Sequence, residues 1–166
     1  MQRIQHCIEQ CWQILESVSD PEIPVLSVID LGMIRGVELN AANEILVRLT
    51  PTYSGCPATD LLKQQIQQAL NEQGFEPVQV LLDLSEAWTT DWMSEQGKQK
   101  LQAYGIAPPQ GQAEHCGTHV ALSDGVACPH CQSRNTRLLS EFSSTACKAL
   151  YQCRNCLEPF DYFKCI

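Results

Sequence analysis

Glu44-Ile45-Leu46-Val47-Arg48-Leu49-Thr50-Pro51-Thr52-Tyr53-Ser54-Gly55-Cys56-Pro57-Ala58 holds a strand, a stop and a helix start in succession. Glu44–Thr50 is rich in β-branched and aliphatic residues and reads as a strand that Pro51 ends. Beyond it Ala58, Leu61, Leu62, Ile66, Ala69 and Leu70 recur at helical spacing, and Gly74 fits the C-terminal stop. Between the two, Gly55 permits a tight turn and Pro57 suits the first helical position, which places Cys56 at the N-cap. Free N–H groups and the positive end of the helix dipole there favour thiolate over thiol. A small residue chosen to fit the turn is the plainer reading of the same cysteine.

Outward from this run the chain alternates helix and strand. Ile4, Ile8, Cys11, Leu15 and Val18 give an amphipathic helix over 3–18, with Cys7 and Cys11 on or beside its apolar stripe as small buried residues. Ser19-Asp20-Pro21-Glu22-Ile23-Pro24 is a stiff loop, because each proline pushes its predecessor toward extended geometry. Met33–Leu39 is a strand joined to Glu44–Thr50 through Asn40-Ala41-Ala42-Asn43, a hairpin. Residues 75–84 make a third strand, and Trp92–Tyr104 a last helix ending at Gly105. Pro108-Pro109-Gln110-Gly111-Gln112 breaks the composition. The expectation is an α+β domain (α-β-β-α-β-α) over 1–106, a linker over 107–124 and a β module over 125–166.

Charge and thiols divide the same way. The net charge is −8 over 166 residues, and 1–105 carry 6 basic and 14 acidic side chains against 5 and 5 in 106–166. Seven of the ten cysteines lie from Cys116 to Cys165. An acidic body repels phosphate backbones, which argues against nucleic acid. No run is long and apolar enough for a membrane helix or a signal peptide. So many thiols without an export signal point to a reducing, cytoplasmic setting and to metal ligation.

Cys128-Pro129-His130-Cys131 and Cys153-Arg154-Asn155-Cys156 are two C-x2-C pairs with 21 residues between them. Two such knuckles complete a four-thiolate tetrahedral shell, and metal supplies the stability that so short a segment lacks. A structural zinc ribbon, an iron–sulfur cluster on the same cysteines, and two disulfides are the readings open. Phe160-Asp161-Tyr162-Phe163 reads as a strand of the ribbon. Cys116, Cys147 and Cys165 are unassigned thiols, either packed and idle or parts of a second, labile site with His115, His119 or His130. Asp20 and Glu22 are two carboxylates available to Cys56, or caps of their own turn. The only histidine of the body is His6, so a Cys–His hydrolase is disfavoured, and no phosphate loop, serine elbow or metalloprotease helix occurs. The body reads as a binder, and no catalytic residue is assigned.

Asp20-Pro21-Glu22-Ile23-Pro24-Val25-Leu26-Ser27-Val28 with Asp30-Leu31-Gly32-Met33, followed by Thr50–Ala58, resembles the SufT/PaaD-like family associated with iron–sulfur cluster assembly. Ala87-Trp88-Thr89-Thr90-Asp91-Trp92-Met93, Ser144–Cys153 and Glu158–Ile166 narrow the resemblance to the D-subunit family of the bacterial phenylacetyl-CoA epoxidase system. That resemblance implies an accessory role in aerobic phenylacetate breakdown. The partners it implies are other subunits of that system, first the reductase that carries flavin and a [2Fe–2S] cluster. It implies help in assembling or repairing a metal centre, with Cys56, Asp20 and Glu22 handling iron or a cluster transiently and zinc as structural cofactor. A stable, non-catalytic coupling subunit is the alternative.

Overall fold

The computed structural model describes residues 2–53, 55–110 and 125–165. The chain is α+β and divides into two compact units, Met1–Trp88 and Thr89–Ile166.

The first unit contains α1 (Gln2–Leu15), β1 (Ile34–Leu39), β2 (Ile45–Leu49), α2 (Thr59–Glu72) and β3 (Val78–Leu82). β1 and β2 form the expected hairpin, with Val37 opposite Val47 and the turn passing through Asn43 at φ 65°. β3 lies parallel to β2 with Val80 opposite Val47, so the sheet order is β1-β2-β3. A parallel neighbour needs a long crossover, and α2 supplies it. Val37, Ile45, Val47, Leu49 and Val80 are buried, while Glu38, Arg48, Gln79 and Leu81 are exposed. Cys11 and Leu15 from α1 and Leu62, Ile66 and Leu70 from α2 join that core. Burial, and then the neighbouring Cys7 thiol, push Cys11 up to about 12, so it remains a neutral thiol. The third strand is shorter than its apolar alternation suggested: Phe75 N–H bonds back to Leu70 O, finishing the helix rather than starting the strand.

The proline loop carries its own framework. Asp20 Oδ1 accepts from the N–H groups of Glu22 and Ile23 at 2.8 Å each, and Asp30 Oδ2 accepts from Ser27 N–H and Oγ–H. These bonds hold Ile23, Leu26, Val28, Leu31 and Met33 in the core. Trp88, buried at the end of the unit, donates from Nε1 to Leu31 O at 2.8 Å. Trp88→Phe removes that donor and leaves a buried carbonyl short of a partner, so a loss of about 2 kcal/mol is expected. The urea midpoint measures it; an unchanged midpoint would show that water replaces the indole.

The second unit begins with a 3-10 turn (Thr90–Trp92) and α3 (Glu95–Tyr104). Ser94 caps α3 by accepting from Gly97 N–H at 2.8 Å, and Gly105 ends it at φ 89°, a left-handed conformation natural to glycine. Then come β4 (Ile106–Ala107), β5 (Thr136–Ser140), β6 (Lys148–Cys153) and β7 (Pro159–Phe163), in sheet order β4-β7-β6-β5. The division therefore falls at Trp88, ahead of the composition break at Pro108. α3, read from sequence as the closing helix of the first domain, belongs to the second unit. The physical reason is β4, which pairs parallel to β7 with Ile106 opposite Asp161 and draws α3 with it. Beneath this sheet, Ala107, Val126, Cys128, Ala149, Tyr151, Cys153, Phe160 and Tyr162 form one core.

At the start of β6, Lys148 is buried and its Nζ lies 3.0 Å from Asp161 Oδ2. Ser143 donates to the other Asp161 oxygen. Among the described residues no helix is long and apolar enough to cross a membrane.

Candidate metal centre

The four knuckle cysteines converge. The Sγ atoms of Cys128, Cys131, Cys153 and Cys156 all lie within 4.8 Å of one another, with 3.7 Å between Cys128 and Cys156 and 3.5 Å between Cys131 and Cys153. A tetrahedral ion with metal–sulfur bonds of about 2.3 Å sets its sulfurs about 3.8 Å apart, so the donor set fits such an ion. All four are free of disulfides.

Each knuckle reverses through the residue that follows its second cysteine, Gln132 at φ 63° and Leu157 at φ 66°. In the first, Gln132 N–H bonds to Cys128 O and Cys128 N–H to Ser133 O, both at 2.9 Å. In the second, the N–H groups of Asn155 and Cys156 point at Cys153 Sγ from 3.4 and 3.5 Å. The Cys156 N–H first, and Asn155 N–H with it, outweigh burial and draw the Cys153 thiol down to about 6. Arg154 N–H to Asn135 O, at 2.8 Å, and Asn135 Nδ2 to Asn155 Oδ1, at 3.1 Å, brace the second knuckle. Cys128 and Cys153 are buried while Cys131 and Cys156 reach solvent. The centre is thus half in the core and half at the surface.

Sequence reasoning missed what seats the first knuckle. Gln102 of α3 donates from Nε2 to Pro129 O at 3.2 Å, and a Cβ on Gly105 would come within 3.5 Å of the His130 ring. A two-residue strand such as β4 carries no periodicity, so nothing in the sequence announced this packing. His130 is not among the converging donors.

The other thiols of the tail do not extend the centre as described. Cys147 is buried, with its Sγ 3.0 Å from Thr145 Oγ1. Cys165, expected to be a thiol, is disulfide-bonded, and its sulfur is 3.6 Å from Thr90 Oγ1. Cys116, His115 and His119 lie outside the described residues.

In the first unit Cys56 precedes α2 rather than capping it. The cap is Ala58, in helical conformation and without a side-chain bond. Pro57 and Ala58 form a tighter turn ahead of the helix, closed by Thr59 N–H to Cys56 O at 3.2 Å and reinforced by Thr59 Oγ1 to the same oxygen at 2.8 Å. The expected thiolate is not the resting form. Burial pushes the Cys56 thiol up; the Ala58 N–H and Thr59 hydroxyl favour the anion, but the charges of Glu22 and Asp20 oppose it. The charges of Asp20 and Glu22 thus act on the Cys56 sulfur, but among the described residues the three are not a group whose donor atoms converge within 4.8 Å. Asp20 caps the Glu22–Ile23 turn, and its charge is also felt at the sulfur. A thiol kept protonated by burial and by two negative charges is a poor nucleophile.

Comparison with known proteins matches the two ends of the chain separately. Residues 8–81 match the family model described as "Iron-sulfur cluster assembly protein", and 112–164 match "PaaD zinc beta ribbon domain". A protein of Escherichia coli (strain K12), named as the D component of a "Putative 1,2-phenylacetyl-CoA epoxidase", is 51% identical over 96% of this chain and 93% of its own. An "Fe-S protein maturation auxiliary factor" of Porphyromonas gingivalis (strain ATCC BAA-308 / W83) is 34% identical over 56% of this chain and 89% of its own. Among solved structures, a domain of unknown function (DUF59) from Bacillus anthracis superposes with a TM-score of 0.56 at 22% identity. It covers 60% of this chain and 95% of that one, and bears on the fold alone.

Proposed function

The chain belongs to the D-component family of 1,2-phenylacetyl-CoA epoxidases, and from that premise we propose that it is an accessory protein that assembles or repairs the iron–sulfur centre of a partner in such a system. The partner is the reductase that passes electrons through a [2Fe–2S] cluster. The observation that carries this reading is the charge of Asp20 and Glu22 acting on the Cys56 thiol inside the segment that matches iron–sulfur assembly proteins.

The residues suggest how such a site works. Without a cation, the two carboxylates and burial keep Cys56 protonated, which protects it from oxidation. An arriving iron ion or cluster, here the cargo, replaces that proton, and the Ala58 N–H and Thr59 hydroxyl then support the sulfur's charge. Asp20 and Glu22 attract the cation, but one thiolate falls short of the four that hold a cluster, so the set is incomplete. An incomplete set releases its cargo to a partner that offers more cysteines. The four-cysteine centre has a different task. Its closed tetrahedral donor set fits zinc as a resident structural ion, which would tie the two knuckles together and supply folding energy to the ribbon.

Cys56→Ser keeps the size of the side chain and removes the soft donor. Reductase purified from cells that make this variant in place of the wild type is expected to carry less [2Fe–2S] cluster by visible absorbance and iron content. The variant itself should melt and retain zinc as the wild type does. Full cluster occupancy of the reductase would leave the coupling role as the better account.

A further inference from the structure

Cys7 and Cys11 take no part in either site above. They stand one turn apart on α1, on the stripe that continues to the buried Leu15. At that spacing their Cβ atoms are about 5–6 Å apart on one face, close enough for both sulfurs to meet a single ion. Cys11 is fully buried, whereas Cys7 is half-buried. Cys7 also lines a cavity of about 450 Å³, with Ile4, Leu39, Ile45, Phe75 and Glu76 around it. The pair therefore has a sealed inner sulfur and an outer one facing an opening. Among the residues lining that opening Glu76 carries the only charge, so the cavity draws cations rather than anions.

We propose that Cys7 and Cys11 form a two-thiolate site for a soft monovalent metal ion, copper(I), reached through this cavity. The donor chemistry makes the selection. Hard cations ask for six or more oxygens, and among the side chains lining the cavity only Asn43 and Glu76 offer any. Zinc and iron ask for four donors, and one helical turn supplies two. Two thiolates complete the linear coordination of copper(I), a soft ion that thiolate ligands select. The reaction balances as one copper(I) ion and two thiols giving a bis-thiolate copper(I) anion and two protons. The two S–H bonds break, two copper–sulfur bonds form, no electron changes hands, and the protons leave through the cavity. None of this depends on Cys56 or on iron–sulfur assembly, because the residues are different.

The test is an anaerobic titration of the full zinc-loaded chain with copper(I), supplied as its acetonitrile complex, against bicinchoninate as the competing chelator. Wild type should withdraw one equivalent more copper than Cys7→Ser or Cys11→Ala, with zinc retained throughout. X-ray absorption at the copper edge should show two sulfur neighbours. Equal uptake by wild type and Cys7→Ser overturns the proposal. So does copper entering only as zinc leaves, or a copper bound by more than two donors. Should Cys11→Ala fail to fold, the half-buried Cys7→Ser carries the comparison alone, its fold checked by thermal melting.

Discussion

Chelating the metal of the four-cysteine centre is expected to unfold the ribbon while residues 4–88 stay folded. The ribbon core and the metal shell are built from the same side chains, since Cys128 and Cys153 sit among Val126, Tyr151, Phe160 and Tyr162. Remove the ion, and four sulfurs packed within 4.8 Å must share protons or repel as thiolates. Structural zinc sites are worth about 10–16 kcal/mol, more than so small a core holds in reserve. The loss should spread to α3 through Gln102 on Pro129 and through β4 on β7. Amide exchange reads this directly: protection in β5, β6 and β7 should vanish on chelation while that of β2 and α2 persists. Cys128→Ser should do the same without chelator, and acid should favour metal loss because protons compete for every ligand. A chelated protein that keeps its β6 and β7 protection would show that the aromatic core suffices alone.

Asp161→Asn should destabilise the second unit by about 3 kcal/mol, the usual cost of stranding one partner of a buried ion pair. Asparagine can still accept from Ser143, so the substitution isolates the charge. What it leaves behind is the Lys148 ammonium, whose side chain is 6% exposed and whose Nζ faced Asp161 at 3.0 Å. The double substitution Lys148→Met with Asp161→Leu should recover most of the loss, because a packed apolar pair needs no counter-charge. Thermal unfolding of the zinc-loaded protein measures both. A single variant that melts like the wild type would mean that Lys148 swings out to water, and the Ser143–Lys148 loop would then owe its shape to its backbone bonds.

Much of the fold could be read from the chain because its signals are local. Alternation in Glu44–Thr50, helical spacing from Ala58 to Leu70, and Gly74 and Gly105 at positive φ each act within a few residues. The two C-x2-C pairs are of the same kind, since each knuckle is a short turn with its own bonds. Three features were hidden for one shared reason: they arise only when distant segments meet. β4 is two residues whose strand exists because β7 lies beside it. Cys56 was placed on the helix from Gly55 and Pro57, but Thr59 closes a tighter turn first, and burial, with charges from a loop more than thirty residues upstream, raises its pKa. The Lys148–Asp161 pair joins neighbouring strands whose register no single segment encodes.

The short β4 strand also sets where this gene can be cut and joined. A deletion ending at Pro108, where the composition changes, would leave α3 on a fragment that lacks the sheet it packs with. A seam just after Trp88 divides the chain between its compact units instead. By the same token, a chain nicked between residues 110 and 125 would still have its two pieces joined by the β4–β7 ladder and the Gln102–Pro129 bond.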